Sequence, residues 1–157
     1  MKDPVKLVIS VLLCEAAGLL ATPFIIDSVL TWYPALKQPP FTPPDYVFGP
    51  VWTVLYLMMA FSLYLVWSKS LKAKYLKPAL FIFYLQLFFN FLWSFLFFTF
   101  RMPHLALIDI IFLLTALILT ILKFRPISVV AAWLLVPYLI WVSFATYLNL
   151  GIILLNY

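Results

Sequence analysis

A single all-α domain of five transmembrane helices is the fold this sequence predicts, and three observations carry the prediction. The 157 residues are 67% hydrophobic and 10% charged, with a mean hydropathy of +1.14, more apolar surface than a water-soluble domain of this length hides. The apolar residues fall into five runs, each long enough to supply the about 20 residues that cross about 30 Å of hydrocarbon. Charges gather between the runs, and so do most of the prolines. The expected organisation is one integral membrane domain, residues 1–157, with a Pro-rich lid loop at about residues 27–46.

The first run, about Leu7 to Ile26, is interrupted only by Ser10, Glu15 and Thr22, and is expected to stop near Pro23 and Asp27. No A-x-A-like site ends it, which predicts a membrane helix rather than a cleaved signal peptide. Ala16, Ala17, Gly18 and Ala21 are small, and Ala17 and Ala21, one turn apart, make a face on which a second copy can pack closely, predicting a homodimer. Glu15 is an acidic group within the span. Ionised and facing lipid it would cost several kcal/mol, so it is expected to be neutral, paired or near the interface. Function and structural pairing weigh equally for it.

Between Trp32 and Trp52 lie six of the twelve prolines, at 34, 39, 40, 43, 44 and 50. Each fixes φ, removes a donor and extends the residue before it. The result is a stiff polyproline-like segment suited to a lid or a rigid connector. A second span follows from about Val47 to Trp67, with Pro50 tolerated near its start. Lys69, Lys72, Lys74 and Lys77 then mark a solvated loop of the kind that flanks membrane spans, not a nucleic-acid patch. Pro78 is expected to open a third span to about Phe100. Arg101 to His104 makes a turn, and a fourth span runs to about Leu122. The fifth runs from Ile127 to about Leu155, with Pro137 expected to kink it and free a carbonyl around Trp133. Five spans place Lys2, Lys6, the four loop lysines, Lys123 and Arg125 on one side, against Lys37 and Arg101 on the other. The excess of positive charge predicts a cytoplasmic amino terminus and an external Pro-rich loop. An odd number of spans argues against the inverted repeats of secondary transporters.

Polar residues within the spans are few. Gln86, Asn90 and Trp93 share one face of the third helix, Trp52 and Tyr56 pair on the second, and Trp141, Phe144, Ala145 and Leu148 form a stripe on the fifth. Such stripes are more often core than pocket. Asn90 tilts the balance, since a buried carboxamide needs partners and a sparse polar group in an apolar cavity orients a ligand. Asp109 is expected to pair with Arg101. One histidine, one cysteine (Cys14) and three glycines offer no catalytic triad, phosphate loop, disulfide framework or metal site. No cofactor is predicted.

Across nearly the whole chain, Trp32-Tyr33, Pro39-Pro40-Phe41-Thr42-Pro43-Pro44, Gly49-Pro50-Val51-Trp52, Asn90-Phe91-Leu92-Trp93, Arg101, Leu107-Ile108-Asp109 and the run from Pro137 to Asn149 resemble the TspO/translocator protein family, the tryptophan-rich sensory proteins or peripheral-type benzodiazepine receptors. The resemblance implies a five-helix bundle, often dimeric, with a pocket below the first loop that binds porphyrins, sterols and benzodiazepine-site drugs. It implies that Trp52 and Asn90 contact ligand polar atoms and that Tyr33, Trp93, Trp141, Phe144 and Ala145 line the walls. Here Gln38-Pro39-Pro40-Phe41 stands where the family usually has Lys-Pro-x-Trp, removing an indole from the lid. The expected function is a membrane receptor or carrier of tetrapyrroles, the rival an enzyme that degrades porphyrin with light and oxygen.

Overall fold

The computed structural model describes residues 3–69 and 73–157; Lys2 and Lys72, invoked above for topology, lie outside them. Five helices are long and apolar enough to cross a membrane: α1 (Pro4–Ala35), α2 (Asp45–Trp67), α3 (Lys74–Thr99), α4 (Pro103–Phe124) and α5 (Val129–Asn156). The most extensive packing is α3 on α4, α1 on α2, and α4 on α5, while α2 meets the start of α5 and α1 meets α3. The helices therefore close in the order α1, α2, α5, α4, α3. At one end, Met59, Leu63, Phe83, Leu117, Phe124 and Tyr138 form a fully buried core, with Phe83 and Phe124 stacked at 5.7 Å. Outer faces stay apolar, with Leu12, Phe81, Phe112 and Leu154 exposed, as helices surrounded by lipid require.

Local chemistry sets the helix ends. Asp3 caps α1 by accepting from the amides of Val5 and Lys6, with Pro4 behind it, and Ser128 caps α5 through the amide of Ala131. Within α2, Gly49 precedes Pro50, and the missing Cβ removes the clash that a proline ring makes with the residue before it. Leu135 interrupts α5, its amide bonding back to Ala132 O at 3.2 Å. The break sits two residues before Pro137, whose missing N–H prevents a continuous helix.

Three expectations are corrected. Helix α1 does not stop at Pro23 but continues to Ala35, since in hydrocarbon the backbone has no partner except its own helix. The non-helical part of the lid is thus only residues 36–44, not 27–46. Likewise α3 begins before Pro78. The small-residue face of α1 is split: Ala21 is 2% exposed and Gly18 abuts Tyr56, while Ala16 and Ala17 stay half-buried along an open groove against α3. Finally, Arg101 does not reach Asp109. At a left-handed φ of 54° it reaches across to α1, with Nη2 3.2 Å from Asp27 Oδ2 and Nε donating to Ser28 Oγ at 3.0 Å.

Candidate functional site

Two wide turns shape the loop end of the bundle. Residues Ser28–Trp32 in α1 and Phe95–Thr99 in α3 are π-helical, a geometry that inserts an extra residue into a turn. They abut, joined by Thr99 Oγ1 donating to Phe24 O at 3.2 Å and by the Arg101 contacts. The first turns Tyr33 inward, where it is buried and meets Phe48, Phe97 and Phe98 edge-on. The second lets the consecutive residues Phe97 and Phe98 both face the same space.

That space is a cavity of about 430 Å³ enclosed by α1, α2, α3 and α5, inside the roughly 300–1,000 Å³ range of small-molecule sites. Of the expected residues, Tyr33, Trp52, Trp93, Trp141 and Ala145 line it. Asn90 and Phe144 do not. Asn90 is 1% exposed and its Oδ1 accepts from the Tyr56 hydroxyl at 2.6 Å; Tyr56 is what the cavity meets. Phe144 packs instead between Trp141 and Tyr147.

Trp52 stacks on Tyr56 at 5.6 Å and turns an edge contact to Tyr138, fixing its indole plane in the wall. The Trp93 indole donates to Asn149 Oδ1 at 3.2 Å, and Asn149 Nδ2 donates to Pro103 O at 2.9 Å. Sequence reasoning missed Asn149, although it lies eight residues after Trp141, on the same helical face. It also missed Gly18, which sets the depth of the site: a Cβ there would stand 2.5 Å from the Tyr56 ring. Phe48, one turn from the start of α2, meets Trp141 at 5.9 Å and was visible only as part of the Pro-rich stretch.

The roof is strapped to α5. Lys37 N–H donates to Asn156 Oδ1 at 2.8 Å and the Asn156 amide donates back to Lys37 O at 3.0 Å. Tyr147 donates to Pro40 O at 2.9 Å, and Gln38 reaches back to Tyr33 O at 2.7 Å. Pro39 is buried over Gly151, where an added Cβ would lie 2.6 Å from its ring. Phe41, at φ 65° and 89% exposed, forms the outer tip.

Residues 10–155 match the TspO/MBR family. The chain is 44% identical to the tryptophan-rich protein TspO of Archaeoglobus fulgidus over 151 residues, covering 96% of this chain and 97% of that one. It is 39% identical to the protein of the same name from Chlorobaculum tepidum, over 99% of this chain and 98% of that one. Similarity extends to the human translocator protein, at 38% identity over 80% of this chain and 75% of the relative.

Proposed function

The chain belongs to the TspO/MBR family, and on that premise we propose that it is a membrane receptor or carrier for tetrapyrroles such as protoporphyrin. The observation that carries the reading is the cavity under the strapped loop, walled by Tyr33, Trp52, Trp93, Trp141, Phe48 and Phe98. Flat rings bind such walls by offset stacking and edge contacts. The sparse polar groups between them orient a ligand rather than hold it. Other flat apolar molecules, sterols and benzodiazepine-site drugs among them, suit the same walls.

The test is a fluorescence titration of purified protein with protoporphyrin. Saturable quenching of the tryptophans is expected, and Trp52→Phe should weaken binding about three- to tenfold through lost stacking and a lost indole N–H. Quenching that never saturates would overturn the reading. Recovery of the pigment after incubation in light and in dark distinguishes a binder from a degrading enzyme; intact pigment in both is the expected result.

A further inference from the structure

On the other side of α1 from the cavity, an open groove of about 310 Å³ runs between α1 and α3. It shares no lining residue with the space under the loop. Its floor is low because Ala16 and Ala17 are small and Leu87 is buried, while its rims, Leu20 and Phe88, are 63% and 55% exposed. The hydroxyl of Tyr84 is the one polar group among its lining side chains. From Leu13 to Leu20 the floor spans about 10 Å, less than one leaflet, which is about half of 30 Å.

The charges beyond one end of the groove separate an acyl chain from another helix as its occupant. Lys6 lies seven residues before Leu13 and Lys77 seven before Tyr84, two turns back on the same face to within about 20° and about 10 Å along the axis. Helices α1 and α3 both start at this end, so the two lysines flank the same end of the groove. Lys6 Nζ is 3.9 Å from the Asp3 carboxylate and 3.4 Å from Trp67 O, whereas Lys77 is exposed and makes no ion pair among the described residues. Asp3 is the only acid at this end, against Lys6, Lys69, Lys74, Lys77, Lys123 and Arg125. A second copy in the same membrane has the same orientation, and a two-fold contact here would set its Lys6 and Lys77 against these. An anionic headgroup neutralises them instead.

We propose that the groove between α1 and α3 is a site for an anionic phospholipid, with one acyl chain laid over Ala16 and Ala17 and the phosphate held at Lys6 and Lys77. Basic pockets between helices at the membrane surface recognise such headgroups, and lysine stems lie along apolar surface while their ammonium groups stay at the water. The site is independent of what the cavity binds. Its lipid would join α1 to α3 along the stretch where the rims hold the two helices apart.

The test titrates purified protein in an uncharged detergent with phosphatidylglycerol and with phosphatidylcholine of the same chains, counting bound lipid by native mass spectrometry. Retention of phosphatidylglycerol with a preference of about tenfold or more is expected, since two lysines contribute. Lys77→Gln should cut that preference about fivefold, the ratio that about 1 kcal/mol per basic residue gives. Lys123→Gln, an exposed change on α4, which does not line the groove, should alter it by less than about twofold. Ala17→Leu fills the floor and should weaken both lipids several-fold. Equal binding of the two lipids overturns the proposal, and so do equal effects of Lys77→Gln and Lys123→Gln, which would mean diffuse attraction to the whole basic end. Unchanged binding in Ala17→Leu would overturn the groove as the seat of the chain. A disulfide between copies through Phe88→Cys, in protein whose Cys14 is replaced by alanine, would give the groove to a second copy. Should Ala17→Leu not fold, the comparison of Lys77→Gln with Lys123→Gln decides.

Discussion

The hydroxyl of Tyr56 donates to Oδ1 of Asn90 over 2.6 Å, with both residues buried. This bond joins α2 to α3 directly behind the cavity wall. Removing one partner leaves the other's polar atom buried and unpaired, which costs about 1–3 kcal/mol, whereas removing both is nearly neutral. Tyr56→Phe and Asn90→Leu should therefore each lower the melting temperature in detergent, and the double variant should regain part of the loss. Porphyrin affinity in the folded fraction should change less than it does for Trp52→Phe. An affinity loss at Asn90 as large as that at Trp52, without a stability loss, would instead put Asn90 in contact with the ligand.

Gly18 permits Tyr56 to sit where it does. A methyl group there stands 2.5 Å from one ring carbon and 3.1 and 3.2 Å from the two next to it, so Gly18→Ala must displace the ring, and the cavity that Tyr56 lines is the open space beside it. Overpacking of this kind costs about 1–3 kcal/mol. Both the melting temperature and the protoporphyrin affinity are expected to fall, since the displaced ring takes up ligand space. A variant with unchanged affinity would show that Tyr56 yields in another direction.

How much of this was legible in the sequence follows from which physical signal each feature leaves. The five spans were readable because hydropathy over about 20 residues is set by the thickness of the bilayer. The stripe of Trp141 and Ala145, and the pair Trp52 and Tyr56, were readable from helical period. The end of α1 was not, because Pro23 is a breaker in water and a tolerated residue in hydrocarbon, where leaving the helix costs more than one missing bond. Two π-helical turns leave no compositional trace, so the inward turn of Tyr33 and the adjacency of Phe97 and Phe98 came only with the structure. Asn90 was correctly placed inside. That it faces Tyr56 rather than the cavity is a matter of side-chain geometry between two helices, which spacing along one helix does not contain. Arg101 was misassigned for a related reason: proximity in sequence favoured Asp109, while the turn's left-handed backbone brings it to Asp27 and Ser28.

The loop is held by a clamp at Lys37, where both backbone polar groups bond to the side chain of Asn156, and by Pro39 seated on Gly151. Asn156→Ala removes the first, and Gly151→Val obstructs the second. Trypsin cuts only where backbone opens locally, so cleavage after Lys37 reports release of the strap. Each variant should be cut several-fold faster than the unaltered protein while the helices remain intact by circular dichroism. Equal cleavage rates would mean that the prolines alone keep the segment in place.

Orientation in the membrane follows from charge. With Lys6, Lys69, Lys74, Lys77, Lys123 and Arg125 at one end of the bundle and Lys37 and Arg101 at the other, the rule that cytoplasmic loops carry the positive excess leads us to propose that the strapped loop is external. Cys14 is fully buried and is first replaced by alanine, giving a background without thiols. New cysteines then go in at Asp45 and Lys74, both exposed and at opposite ends. A membrane-impermeant maleimide applied to intact cells should label the first and spare the second until the membrane is opened. The electrostatic contribution is about 1 kcal/mol for each basic residue near an anionic leaflet, so six against two is a decisive bias, and labelling of Lys74→Cys from outside would reverse the assignment of the cavity mouth along with it.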